Sequence, residues 1–228
     1  MIKTMMLALG AMASFSFAVT APANAQQSCS GLSRPIITLD MNEPAIEYDL
    51  RQSIRDLTMR QRSIAGYRSE LGPTNGITRY RVSASYQAEM RVVGGATVCL
   101  APTIIRLRAE IASPIVVAIA SDYHRRSCAF EAIHRHELQH VQITQQTMRS
   151  VAHRIREQLA NHMENRFYPG YSAQQAQQSF STEMQRFINW AVGYAEQALR
   201  EANGVIDTPE SYRQLHMLCN DWLPNTPP

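Results

Sequence analysis

The stretch Ser127-Cys128-Ala129-Phe130-Glu131-Ala132-Ile133-His134-Arg135-His136-Glu137-Leu138-Gln139-His140-Val141 decides how the chain is read. From Ser127 onward the apolar residues change to helical spacing. Phe130, Ile133, Val141, Met148, Val151, Ile155 and Leu159 share one stripe with Glu137, His140 and Thr144, and no Gly or Pro interrupts it before Pro169-Gly170. His136 to His140 is an HExxH motif, which in a helix sets two imidazoles one turn apart with a carboxylate between them. Burying such groups costs several kcal/mol (roughly) unless they are paired or hold a metal. The motif therefore predicts a Zn2+ site with His136 and His140 as ligands and Glu137 as general base.

Working outward, Ser172 caps a second long helix whose apolar stripe reads Phe180, Met184, Phe187, Ala191, Tyr194, Ala198 and Ala202 and which ends at Asn203-Gly204. Thr208-Pro209-Glu210 opens a short third helix. Before the motif, Ile36 to Met41 and Ala45 to Leu50 suit short strands, Ser53 to Ile64 has helical spacing, and Gly72-Pro73-Thr74-Asn75-Gly76 is a turn. Thr78, Tyr80, Val82, Ala84 and Tyr86 alternate with polar residues as in one half-buried strand. Gly94-Gly95 turns the chain into strands at Val98 to Leu100, Ile105 to Ile111 and Ile115 to Ile119, and the short connections predict antiparallel pairing. The expected fold class is α+β: a small antiparallel sheet in the N-terminal half, packed on a long HExxH helix and a C-terminal antiparallel helical hairpin, in the manner of the zincins.

The chain has 228 residues. Lys3, the apolar run Met5 to Val19 and Ala23-Asn24-Ala25 read as a signal peptide over residues 1–25, cleaved near Ala25, which leaves a single zincin-like metallopeptidase domain over 26–228 in the periplasm or secreted. No later segment approaches the roughly 20 apolar residues of a membrane span. After Lys3 every basic side chain is arginine, scattered and nearly balanced by acids, which speaks against nucleic acid as a partner. The four cysteines predict two disulfides, Cys99 to Cys128 and Cys29 to Cys219; a lipid anchor on Cys29 is disfavoured by Gln26-Gln27-Ser28 before it.

A zinc hydrolase needs a third protein ligand. The metzincin continuation is absent, because Ile143 and Gln146 stand where its glycine and third histidine would be. On a continuous helix His153 and Glu157 lie about 20 Å and 25 Å beyond His140. His134 points elsewhere, and His124 precedes the helix. An antiparallel hairpin turning near Pro169-Gly170 instead brings the region of Glu201 level with the motif, so Glu201 or Asp207 is the expected third ligand, with Tyr212 as a possible hydrogen-bond donor to an oxyanion.

Tyr48-Asp49-Leu50 leading into Ile54 and Leu57, then Gly72-Pro73, the strand from Thr78, the cysteine strand at Cys99 and the HExxH helix preceded by Cys128 resemble, in order and spacing, a bacterial family of predicted secreted zinc-dependent proteases catalogued as a domain of unknown function. The resemblance runs from Tyr48 to Ile143 and implies export and zinc-dependent hydrolysis. The function expected is peptide-bond hydrolysis on a peptide or protein substrate. The alternatives are a zinc amidase acting on cell-wall peptides and a non-catalytic periplasmic binding or structural protein with a decayed motif.

Overall fold

A computed structural model of the chain describes residues 34–63, 72–94, 97–112 and 114–223. The signal peptide, Cys29, Ile64 and Gly95, on which parts of the sequence reading fall, lie outside the described residues. The strands are β1 (Ile36–Asp40), β2 (Ile46–Asp49), β3 (Gly76–Arg79), β4 (Val82–Gly94), β5 (Val98–Ile111), β6 (Ile115–Ile119) and β7 (Tyr168–Gly170). The helices are α1 (Ile54–Arg62), α2 (Cys128–His162), α3 (Ala173–Gly204) and α4 (Pro209–His216). The class is α+β, but the sheets are mixed.

In one sheet β5 lies between β1 and β4, and in the other β6 lies between β2 and β3. β4 and β3 run antiparallel to their central strands as expected, whereas β1 and β2 run parallel to theirs. Short connections govern only neighbours in sequence. β1 and β2 enter before the ribbon exists and meet it across long stretches of chain, where nothing local fixes direction.

The single strand expected from Thr78 to Tyr86 is broken at Tyr80-Arg81, so its one alternation serves two sheets. Conversely, the strands expected at Val98 and Ile105 are one continuous β5. Pro102 would ordinarily break a central ladder, but the β4–β5 register shifts beside it: Glu89 faces Ile104 and Met90 faces Pro102. Thr103 Oγ1 donates to the Glu89 carbonyl at 3.1 Å across this bulge. Pro169-Gly170, expected only to turn the chain, also forms β7 on the start of β5.

The helices form where local chemistry starts them. Ser127, Ser172 and Thr208 occupy the N-caps of α2, α3 and α4, each accepting from a backbone N–H three residues on. α2 and α3 pack as an antiparallel hairpin, since His162 near the end of α2 meets Glu183 early in α3 while His140 meets Asn203 at the far end. The buried stripe of α3 follows Met184, Ile188, Ala191, Ala195 and Leu199 rather than Tyr194, Ala198 and Ala202. Together with Ile133, Val141, Val151 and Ile155 of α2 and with Ile105, Leu107, Ile115 and Val117 of the sheets it makes one core.

The disulfide pairing departs from expectation. Cys128 is bonded to Cys219, joining the first residue of α2 to the segment after α4, and Cys99 is disulfide-bonded elsewhere. Sequence spacing says nothing about which ends of the chain meet. Here the segment after α4 returns to the start of α2, where Asp221 accepts from the backbone N–H groups of Cys128 and Ala129 at 2.9 and 3.0 Å and supplements the Ser127 cap. No helix among the described residues is long and apolar enough to cross a membrane.

Candidate metal centre

His136 and His140 lie one turn apart on the buried face of α2, each about 7% exposed, with ring centroids 4.9 Å apart and nearly perpendicular. Asp207, in the link between α3 and α4, reaches both: its Oδ1 is 3.3 Å from His136 Nε2 and 3.1 Å from His140 Nε2. Among the described residues these three form a group able to hold a metal ion. A tetrahedral centre with bonds of about 2.0–2.1 Å sets its ligand atoms about 3.3–3.4 Å apart, and both Asp207 contacts are close to that spacing. The second group of metal-ligand type, Cys128, Cys219 and Asp221, is a closed disulfide beside a helix cap.

Of the two third-ligand candidates, the structure brings Asp207 to the histidines and leaves Glu201 outside. Glu201 is exposed on α3 and accepts from Gln197 Nε2 at 2.9 Å. The physical reason is the true stripe of α3: Leu199 and Asn203 face α2, and a residue midway between them points to the opposite side. His124 is exposed, accepting from the Arg126 N–H at 3.2 Å and lining a cavity with Tyr123 and Phe130. His134 packs edge-on against Tyr48. His153 and Glu157 are exposed further along an unbroken α2. Tyr212 donates to Asp207 Oδ1 at 2.8 Å, so its hydroxyl is engaged with the carboxylate rather than held free for an oxyanion.

Glu137 is only 4% exposed. β3 crosses over it: Thr78 Oγ1 lies 2.8 Å from Glu137 Oε2, and Gly76 passes so close that a Cβ there would stand 2.7 Å from Glu137 Oε1. The glycine is required by this approach rather than by its backbone conformation. Thr78 and Asn203 are the site residues that sequence reasoning missed. In the sequence Thr78 reads only as part of an alternation and Asn203 only as a helix end; the one hint is that Asn203 precedes Asp207 by four residues.

The electrostatics follow from crowding. Burial would lower the His140 pKa, but the hydrogen bond and charge of Asp207 outweigh it, and the value is pushed up to about 9. Burial opposes ionisation of Asp207, yet hydrogen bonds from His136 and His140 hold its carboxyl well below the ordinary carboxylate range. For Glu137 burial wins over the two histidines and raises it.

A pH dependence of the metal-free fold follows. His140 gains its partner when protonated, so its stabilisation is complete below 6.5 and disappears as pH rises through about 9. Asp207 stabilises when ionised, fully above 3.8, and loses this only as pH falls through its depressed folded value. Urea stability of chelator-treated protein is therefore expected to fall between about pH 6.5 and pH 9 from the His140–Asp207 pair, whereas the raised Glu137 carboxyl disfavours the fold from above its ordinary value of 4.5 onward. Asp207→Asn should flatten the alkaline fall; an equally steep fall in that variant would contradict the assignment.

No family model, curated protein or solved structure matches the chain.

Proposed function

We propose that the protein is an exported zinc-dependent peptidase. The observation that carries this reading is the convergence of His136 Nε2, His140 Nε2 and Asp207 Oδ1 beside the buried Glu137 carboxylate. Two imidazoles and one carboxylate are a donor set typical of catalytic zinc, which keeps a fourth position for chemistry. Zinc bound there supplies Lewis acidity, polarising a peptide carbonyl and making water a usable nucleophile near neutral pH. Glu137 takes one proton from the attacking water and passes it to the leaving amine nitrogen, so that the amide and water become a carboxylic acid and an amine. Thr78 and Gly76 fix the Glu137 side chain by a hydrogen bond and by close contact. Tyr212 holds Asp207. The Cys128–Cys219 disulfide fits an oxidising compartment, and with the signal-like N-terminus supports export.

Metal analysis tests it first. The purified chain is expected to hold about one zinc per molecule. Asp207→Ala should weaken zinc binding strongly, whereas Glu201→Ala should bind as the parent does. A parent chain that takes up no zinc, or zinc uptake indifferent to Asp207→Ala, would refute the site. A chain that binds zinc through these ligands but cleaves nothing in a broad peptide library would favour a non-catalytic role.

A further inference from the structure

Asn203 lies in the last turn of α3, continuing the buried row through Ala195 and Leu199, and its carboxamide reaches across to α2. Its Nδ2 lies 2.9 Å from the Leu199 carbonyl oxygen and 3.2 Å from Thr144 Oγ1, with the Tyr80 hydroxyl at 3.4 Å. A backbone carbonyl only accepts, so the amide must present its NH2 on that side. Its oxygen is thereby turned toward His140, where Oδ1 stands 2.9 Å from Nδ1. An amide oxygen has no proton to give. His140 must donate from Nδ1, and a neutral imidazole protonated there carries its lone pair on Nε2. Nε2 is the atom that faces Asp207 and the candidate metal position.

We propose that Asn203 is a positioning residue of the metal centre, holding His140 in the Nδ1-protonated tautomer and in the ring orientation that offers Nε2 to the metal. This rests on the metal reading of His136, His140 and Asp207. Asn203-Gly204-Val205-Ile206-Asp207 is then the counterpart of HExxH on the facing element, with the orienting amide and the ligand carboxylate four residues apart. Thr144, fully buried on α2 one turn beyond His140, completes the arrangement by anchoring the amide nitrogen. A simpler role, in which Asn203 only closes the end of α3 through Leu199, accounts for the Nδ2 contacts and for the side on which Oδ1 lies, but gives no use to the 2.9 Å approach of His140 Nδ1 to that oxygen.

The two roles separate in a pair of variants. Asn203→Leu and Asn203→Asp both lose the NH2 that bonds Leu199 and Thr144, but only the Asp variant keeps an acceptor for the Nδ1 proton. Zinc affinity of the full disulfide-bonded chain, measured by competition with a chromophoric chelator, is expected to fall about 10–100-fold in Asn203→Leu and to stay much closer to the parent in Asn203→Asp. Equal weakening in both variants, or parent-like affinity in Asn203→Leu, would overturn the positioning role. If Asn203→Leu does not fold, nitrogen NMR of the histidine rings in the zinc-loaded parent decides: a proton on His140 Nδ1 supports the proposal, and one on Nε2 overturns it. A parent that binds no zinc would defeat the metal reading itself, an outcome distinct from a zinc-binding parent matched by Asn203→Leu.

Discussion

On the proposed peptidase reading, Glu137→Gln is expected to reduce peptide hydrolysis by about 10²–10⁴-fold while leaving zinc bound, the range that a positioned general base contributes. Glu137 is adjacent in sequence to the candidate ligand His136 but is not one of the three converging donors, so amidation should spare a metal held there. Gln preserves the volume under Gly76, and its amide oxygen can still accept from the Thr78 hydroxyl now 2.8 Å from Glu137 Oε2. What it cannot do is take a proton from water. Zinc content and single-turnover cleavage measured on the same preparation separate the two effects. Cleavage at the parent rate would remove Glu137 from the mechanism. Loss of zinc together with activity would show that the carboxylate supports the site rather than the reaction.

Replacing Cys128 and Cys219 together by Ser should lower stability by about 2–5 kcal/mol, the usual loss when a native disulfide is removed from a small domain. The bond spans 91 residues of sequence, a long loop whose closure restricts the unfolded chain heavily. The folded side of the balance points the same way. α4 has no buried residue, and the C-terminal segment is held otherwise by Asp221 on the N-terminus of α2, by Trp222 packed edge-on against Tyr123 and by the Asp207 contacts. Urea unfolding of the metal-free chain, followed by tryptophan fluorescence, should therefore shift to a clearly lower midpoint. An unchanged midpoint would mean that these other contacts suffice.

What the sequence determined about this protein was local. The spacing of Phe130, Ile133, Val141 and Val151 set α2; Ser127, Ser172 and Thr208 set where helices begin; and His136, Glu137 and His140 were placed together by the helix itself. Each depends on residues within a few positions of one another, where helical geometry leaves little freedom. The hairpin of α2 and α3 was also predicted, because a short link between two long amphipathic helices favours antiparallel packing. Tertiary structure decided the rest. The small drift of the α3 stripe from Tyr194 and Ala198 to Ala195 and Leu199 turned Asn203 inward and Glu201 outward, and left Asp207 as the candidate third ligand beside the two histidines. The break at Tyr80-Arg81 put Thr78 over Glu137 rather than in β4, the parallel entry of β1 and β2 had no local signal, and the return of the C-terminal segment chose Cys219 as the partner of Cys128. Contacts between residues tens of positions apart depend on how whole elements pack, and pairing or alternation along the chain does not encode the rotation of one element against another.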